Sequence, residues 1–233
     1  DCIGSIAHAK MLGKQRIIPP KEAALIVKGL KVILKDIQNN KLKIDLKAED
    51  IHSNIQAILS KKIGEVANKL HTARSRNDQI ALDIRMYIKD EICALGELIA
   101  EFQKSILRFA KKNSKVVIPG YTHLQIAQCV LLAHHLLAYI ESLERDKARL
   151  NDSSKRVDSM PLGSCALSGT GLAIDREFVK KELGFKSVTE NSIDSVSDRD
   201  FIIEVLAGLS ILSVHLSRIA EDLILWATRE FSF

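Results

Sequence analysis

The chain has 233 residues, of which 46% are hydrophobic and 27% charged, a balance typical of a globular protein with an apolar core. Only 5% are aromatic, which argues against a surface that binds single-stranded nucleic acid by stacking bases on aromatic rings. The net charge of +5 is spread over interleaved acidic and basic residues, as on a solvated helical surface. We therefore expect no nucleic-acid partner, although the small positive excess would favour an anionic substrate.

The cysteines and the apolar segments exclude further classes of protein. The four cysteines are far apart and form no CxxC pair: Cys2, Cys93, Cys129 and Cys165. The histidines are scattered, so no metal-binding spacing is present and we predict no metal site. The longest apolar stretch, residues 129–140, is too short to span a bilayer, and we find no secretory signal. Free thiols and no membrane partner together predict a cytoplasmic protein.

The first part of the chain predicts short helices separated by turns. Apolar spacing, prolines and asparagines place these helices over residues 4–14, 21–37 and 50–59. Pro20 suits the first position of the second helix, and Gly64 closes the region.

The longest predicted helix, residues 77–112, contains no proline. Its apolar residues recur at alternating spacings of four and three: Leu95, Ile99, Phe102, Ile106 and Phe109. At about 1.5 Å per residue this helix would be on the order of 50 Å long. Pro119 and Gly120 interrupt the pattern, and residues 126–157 predict a second long helix.

A loop rich in small residues, residues 158–170, precedes a short predicted helix over residues 175–183 that ends at Gly184. Ser197 or Asp198 then caps a third long helix, which is predicted to reach at least Trp226. Its apolar seam is Phe201, Val205, Leu209, Leu212, Leu216, Ile219, Leu223 and Trp226. No strand-type alternation extends beyond a few residues.

These elements predict an all-α fold, with a helical domain over residues 1–75 and a long-helix bundle over residues 76–233. Three long amphipathic helices are too few to bury all their apolar stripes. Either further helices are missing from the bundle or oligomerisation completes it, and we expect both.

Residues 69–79, KLHTARSRNDQ, concentrate polar side chains immediately before the longest helix. The N-terminus of a helix attracts anions through its free N–H groups and its dipole. Ser75, Arg76 and Asn77 would add hydrogen-bond donors suited to a carboxylate. The alternative is ordinary capping by Ser75 or Asn77, with solvated arginines.

Residues 120–125, GYTHLQ, lie just before the second predicted long helix, and we expect their polar side chains at its entrance. His123 can exchange a proton near neutral pH, and Thr122 offers a hydroxyl group beside it. The other six histidines are equal competitors on the residues alone: His8, His52, His71, His134, His135 and His215.

Residues 161–170 contain Cys165, a possible nucleophile, but no paired histidine is identifiable. The small residues favour a packing loop in which backbones approach closely. Farther along the chain, Asp194, Asp198, Arg199 and Asp200 suggest a helix cap with a cluster of salt bridges.

Both polar segments have the order and spacing found in the argininosuccinate lyases of the fumarase/aspartase superfamily, and the chain resembles this family along essentially its whole length. HTARSRND and GYTHLQ distinguish this family from the adenylosuccinate lyases and the fumarases. Further matches are EDIH at residues 49–52, PLG at 161–163, DRE at 175–177 and NSIDSVSDRD at 191–200. The chain departs from the family pattern at Ala67, Asn68 and Cys129, none of which matches a reacting group.

The resemblance implies roles for particular residues. Ser75, Arg76 and Asn77 match positions that hold the succinyl carboxylates, and Thr122 matches a substrate-binding threonine. His123 matches the active-site histidine, an acid–base group beside the scissile bond. The supporting positions near the site are Asp50 and His52.

The implied fold is a long-helix bundle of the superfamily type with a smaller N-terminal domain. The implied assembly is a homotetramer whose sites take residues from three subunits, with no metal or organic cofactor. The family's serine loop, GSSxMPxKxNP, and its N-terminal Trp-Gly-Gly segment have no counterpart in the chain. We therefore expect a piece from the middle of a longer subunit, inactive by itself.

The implied reaction is the reversible anti elimination of argininosuccinate to arginine and fumarate. Within the same family, a lyase for another succinyl adduct and a crystallin-like structural protein are the alternatives. A helical interaction module is a third, but it would have no need for the two polar segments.

Overall fold

The computed structural model describes residues 1–233, which form two compact units. The first unit comprises Asp1–Tyr87 and Asp158–Asp198, and the second comprises Ile88–Val157 and Arg199–Phe233. The chain is mostly helical, which confirms the predicted fold class. The domain boundary that we placed between residues 75 and 76 remains a prediction.

The first unit is built around three helices: α1 (Cys2–Lys14), α2 (Pro20–Gln38) and α3 (Ile51–Ile63), followed by a 3₁₀ helix (Gly64–His71). Pro20 occupies the first turn of α2, as predicted. A side chain at Gly13 would meet Ala23 Cβ at 2.6 Å, so the absence of a side chain allows α1 and α2 to pack closely. The fully buried core includes Met11, Leu12, Ile26, Leu30, Ile33, Ile55 and Leu59.

The later elements of the first unit are α6 (Arg176–Leu183), α7 (Ser192–Ser197) and two short parallel strands, β3 (Ser159–Met160) and β4 (Ser187–Val188). Gly184 ends α6 in the left-handed conformation, as predicted. The predicted cap of the last long helix was wrong, because that helix begins at Asp200, after Arg199. Asp198 instead ends α7, and its carboxylate accepts a hydrogen bond from Arg85 at 2.6 Å.

The second unit contains a β-hairpin that the sequence did not lead us to expect. Strands β1 (Val117–Thr122) and β2 (Gln125–Leu131) pair antiparallel, and α5 spans only Leu132–Val157. The predicted start of α5 at residue 126 was therefore wrong. Paired backbone groups and left-handed turn residues at positions 123 and 124 determine the local structure, and the apolar residues of β2 had resembled a helical stripe.

Helix α4 (Arg76–Lys112) runs from the first unit into the second, close to its predicted bounds. In the second unit α5 packs against α8 (Asp200–Trp226), and each buries one apolar stripe. The buried residues of α5 include Leu143, Leu150 and Val157, and those of α8 are Phe201, Val205, Leu212 and Ile219. Other residues of the predicted seams are exposed, including Phe109, Leu216 and Leu223.

Helix α8 is apolar on nearly all sides. The side opposite its buried stripe is also apolar, and it is exposed to solvent. It includes Ile203, Leu206 and Val214, which are 63%, 56% and 58% exposed. By length and composition α8 could cross a membrane, but a single helix of this kind is weak evidence for that. A helix that is apolar on all sides is normally buried on all sides, either in lipid or in the core of a larger protein or assembly.

Candidate active site

The polar segment before α4 forms a capping box in the structure. Ser75 Oγ accepts a hydrogen bond from the backbone N–H of Asn77 at 3.3 Å. In return, Asp78 Oδ1 accepts from the backbone N–H of Ser75 at 3.0 Å. Ser75 is thus the cap that the alternative interpretation predicted, and Arg76 and Asn77 occupy the first turn of the helix. Capping and anion binding are compatible here, because the side chains of Arg76 and Asn77 remain partly or fully exposed.

Asp78 also connects α4 to the loop rich in small residues. Its Oδ2 accepts hydrogen bonds from the backbone N–H groups of Gly163 at 2.9 Å and Cys165 at 2.8 Å. The side chain is fully buried, and this burial raises the pKa of Asp78, although the N–H donors partly offset it. The predicted packing loop is confirmed, since a side chain at Gly163 would meet Ile174 at 2.7 Å.

Asn77 touches the same loop through its side chain. Its Nδ2 donates to the carbonyl oxygen of Ala166 at 2.9 Å. This bond uses one of the two amide hydrogens, so the other is left for an external acceptor.

Arg76 is held by a second set of contacts. Its Nε lies 3.0 Å from Asp50 Oδ2, and a terminal nitrogen donates to Gln79 Oε1 at 2.7 Å. Asp50 also caps α3, because its Oδ1 accepts from the backbone N–H of Ser53 at 2.6 Å. One carboxylate therefore connects the start of α3 to the guanidinium group at the start of α4, in keeping with a supporting role for Asp50.

His52 is buried between two carboxylates. Its Nδ1 lies 3.1 Å from Asp1 Oδ1 and 3.5 Å from Asp83 Oδ2. Burial lowers the pKa of His52, and nearby Asp83 only partly offsets this effect. These three side chains present their ligand atoms within 4.8 Å of one another, a cluster that no sequence spacing could reveal. The distances are those of hydrogen bonds and ion pairs, so the cluster needs no metal to explain it.

Two further basic side chains, Arg74 and His8, lie beside this segment. The guanidinium of Arg74 donates to Ser5 Oγ at 2.8 Å, and burial lowers the pKa of Arg74 to about 10. His8 Nε2 hydrogen-bonds the carbonyl oxygen of Thr72 at 2.9 Å. Burial, together with the charge of Arg74, lowers the pKa of His8 to about 3, so His8 is neutral at physiological pH.

Thr122 and His123 lie in the second unit, at the tip of the hairpin. Thr122 ends β1 and pairs with Gln125, while His123 and Leu124 form a two-residue turn with φ of 53° and 60°. Two left-handed residues between antiparallel strands are the signature of a type I′ turn. The expectation that these residues stand at a helix entrance was therefore wrong. Both side chains are exposed at this tip.

Cleft size does not identify the site. A cleft of about 800 Å³ lies between α1 and α2, and its lining includes Lys10, Lys14, Lys28, Lys31 and Lys35. None of the predicted site residues lines it. The polar cluster at the start of α4 is therefore identified by its chemistry and by its hydrogen bonds.

Asp78 is the residue that sequence reasoning missed. A signal was present, because Ser75 followed three residues later by an acidic residue is the pattern of a capping box. Its bonds to Gly163 and Cys165 could not have been foreseen, since 85 and 87 residues separate the partners.

Comparisons with known proteins agree along the whole chain. A family model described as "Lyase" matches residues 1–233. The argininosuccinate lyases of Acetivibrio thermocellus and Pelotomaculum thermopropionicum are 54% and 55% identical over all 233 residues. These alignments cover 51% of each relative, so the chain spans about half the length of the curated relatives it matches.

Solved structures show the same architecture. EDDS lyase in complex with formate matches with a TM-score of 0.88 and 30% identity, over 99% of this chain and 45% of that one. The β-carboxy-cis,cis-muconate cycloisomerase of Acinetobacter calcoaceticus matches with a TM-score of 0.79 over 99% of this chain and 55% of that one. At 20% identity, the second match is a likeness of fold alone.

Proposed function

Because the chain belongs to the lyase family, we propose that the complete polypeptide is an argininosuccinate lyase, which converts argininosuccinate to arginine and fumarate. The observation that carries the proposal is the polar first turn of α4, within a chain similar throughout its length to curated argininosuccinate lyases. Arginine biosynthesis follows as its metabolic role. Free cysteines fit a cytoplasmic location.

The first turn of α4 supplies the carboxylate-binding part of the mechanism. Arg76 offers a guanidinium group and Asn77 an amide N–H, at the helix end where the dipole favours negative charge. Ser75 adds a hydroxyl group at the cap. Removal of a proton from the carbon beside a carboxylate builds charge on the carboxylate oxygens, and each well-placed donor stabilises that charge by a few kcal/mol, roughly.

The hairpin tip supplies the acid–base part. We assign Thr122 to substrate binding and His123 to proton transfer beside the scissile bond. A base takes the proton from carbon, the carbon–nitrogen bond breaks, and an acid protonates the departing guanidino nitrogen. The exposed side chains of Thr122 and His123 support this role, because they are free to meet a substrate that another copy binds through Ser75, Arg76 and Asn77.

The homotetramer is part of the same proposal. It is supported by the apolar residues that α8 leaves exposed on the side opposite its buried stripe. Packing against helices of other copies would bury this side, so α8 requires no lipid.

A second candidate is a lyase that releases fumarate from a different succinyl adduct. It is favoured by the 30% identity to an EDDS lyase, one variant of which was solved with bound fumarate. The two candidates are separated by comparing the rate of fumarate release from argininosuccinate with the rates from other succinyl amines.

The test is the release of fumarate from argininosuccinate by the complete polypeptide, followed by ultraviolet absorbance. We expect His123→Asn to lower kcat at least about a hundredfold, the usual size of a general acid–base contribution. The matched control is His134→Asn, an exposed histidine on α5 that should leave kcat unchanged. Wild-type protein that releases no fumarate would refute the proposal, and normal turnover by His123→Asn would remove His123 from the mechanism. Residues 1–233 alone should release none.

A further inference from the structure

Asp78 does more than a capping residue needs to do. A capping box requires one acceptor for the N–H of the cap residue, and Asp78 Oδ1 supplies it to Ser75. The second oxygen, Oδ2, is directed at a separate segment and accepts the N–H groups of Gly163 and Cys165. A fully buried carboxylate with three backbone donors fixes the position of both segments.

The loop is shaped to receive this carboxylate. Gly163 and Cys165 have φ of 97° and 55°, and both N–H groups converge on one oxygen. Backbone of this kind forms a concave nest for an anion. The left-handed conformation is unfavourable for a residue such as Cys165, so its persistence indicates that the surroundings hold it in place.

The opposite side of the loop is held by Arg176. Its Nε donates to the carbonyl oxygen of Leu162 at 2.9 Å, and its terminal nitrogens bind the carbonyl and hydroxyl oxygens of Thr189 at 2.9 Å and 2.8 Å. The N–H groups of the loop therefore face Asp78 while a carbonyl group faces Arg176. Neither segment can shift without breaking charge-assisted hydrogen bonds.

These contacts determine the orientation of Asn77. Ala166, the next residue after Cys165, accepts the hydrogen bond from Asn77 Nδ2. Asp78 and Asn77 are neighbours on α4, and their partners are neighbours on the loop, so the four residues form a closed ring of contacts. The Asn77 amide is thereby fixed, with one N–H on Ala166 and the other directed elsewhere.

We propose that Asp78 is a positioning residue for substrate binding: by holding Cys165 and Ala166 against α4, it fixes Asn77 so that its remaining amide N–H meets a carboxylate of the substrate. This inference rests on the proposed function and goes beyond it, because Asp78 is buried and does not itself touch the ligand. An amide already fixed in its binding orientation loses less conformational entropy when the substrate binds.

The test compares variants of the complete polypeptide. In Asp78→Ser the hydroxyl group can still cap α4 locally. The serine side chain is one bond shorter than that of aspartate and has one oxygen instead of two, so the hydrogen bonds to Gly163 and Cys165 should be lost. We expect KM for argininosuccinate and Kd for fumarate, the latter by calorimetry, to rise about tenfold, as for the loss of one well-placed hydrogen bond. Asp78→Asn retains an oxygen for the loop and should restore most of the affinity.

The matched control is Asp146→Asn. Asp146 is as deeply buried, but it lies in the second unit, where it binds His215 at 2.6 Å and Arg149 at 2.9 Å. Its replacement should lower the thermal stability and leave KM unchanged. The same outcome for Asp78→Ser would mean that Asp78 has only a structural role, and would overturn the proposal.

A double-mutant cycle tests whether Asp78 acts through Asn77. In an Asn77→Ala background, Asp78→Ser should have little further effect on KM or on Kd for fumarate. An undiminished effect would overturn the proposal. If Asp78→Ser does not fold, Asp78→Asn replaces it in the cycle. We then expect KM and the Kd for fumarate to rise about threefold, and this rise should again disappear in the Asn77→Ala background. Wild-type protein that releases no fumarate contradicts the proposed function, and the Kd for fumarate then decides the role of Asp78 by itself.

Discussion

At the scale of single residues, the first turn of α4 combines two roles that sequence reasoning treated as alternatives. Ser75 caps the helix with its oxygen, while Arg76 and Asn77 keep exposed donor groups beside it. One helix end can do both because the cap bonds involve backbone N–H groups, whereas the donors of Arg76 and Asn77 are side-chain groups. Local spacing was enough to predict the cap, whereas the partners of Arg76 and Asn77 come from distant segments.

His8 gives a prediction at this scale about pH and stability. Its pKa is about 3 in the folded chain, against an ordinary value of about 6.5, so between these values the unfolded state binds a proton that the folded state does not. Stability should therefore fall as pH decreases from about 6.5 towards 3, by up to about 1.4 kcal/mol per pH unit from this one residue.

Urea unfolding at pH 7 and pH 5 checks this prediction. His8→Gln, which can still donate to the Thr72 carbonyl group, should reduce the loss of stability between the two pH values. His134→Gln, at an exposed position, should leave it unchanged. Equal pH dependence in wild type and His8→Gln would contradict the prediction.

At the scale of elements, the hairpin shows where periodicity misleads. Residues 125–131 contain apolar residues that also suit a helix, and their strand pairing depends on a turn made without glycine. Left-handed conformations at both His123 and Leu124 are intrinsically unfavourable, by about 1–2 kcal/mol per residue. The hairpin therefore holds His123 at its tip at an energetic cost, a pattern that is common at functional sites.

Leu124→Gly should relieve part of this cost. Leu124 is 89% exposed and buries little surface, and glycine adopts positive φ freely, so we expect the hairpin to become more stable by about 1 kcal/mol. Hydrogen–deuterium exchange of the β1 and β2 amides should slow accordingly. Ile126→Gly, at an exposed strand position two residues later, should accelerate it instead. Faster exchange in Leu124→Gly would refute the strained turn.

At the scale of the whole molecule, α8 leaves more apolar surface exposed than a single chain normally tolerates. Its exposed residues include Ile203, Leu206, Val214 and Ile224, at 56–63% exposure. Contiguous apolar surface of this kind marks an interaction site. This side of α8 is the surface through which the proposed homotetramer would assemble.

Val214→Glu should disrupt that assembly, because burial of an unpaired carboxylate costs several kcal/mol, roughly. Size-exclusion chromatography with light scattering of the complete polypeptide should detect smaller species than the wild type forms. Leu46→Glu is the control, because Leu46 is 93% exposed in the first unit and should leave the mass unchanged. A Val214→Glu protein of wild-type mass would exclude this side of α8 from the interface.

The sequence by itself determined the helical class, the near-exact extent of α4, the Gly184 stop of α6 and the polar character of the segment before α4. These features follow from apolar periodicity, capping residues and backbone preferences, all of which act over a few neighbouring residues. Only the tertiary structure decided the hairpin around His123, the hydrogen bond from the Cys165 backbone N–H to Asp78, and the pairing of His52 with two carboxylates. Such contacts join residues tens of positions apart, and no local pattern encodes which distant groups will satisfy a buried polar atom.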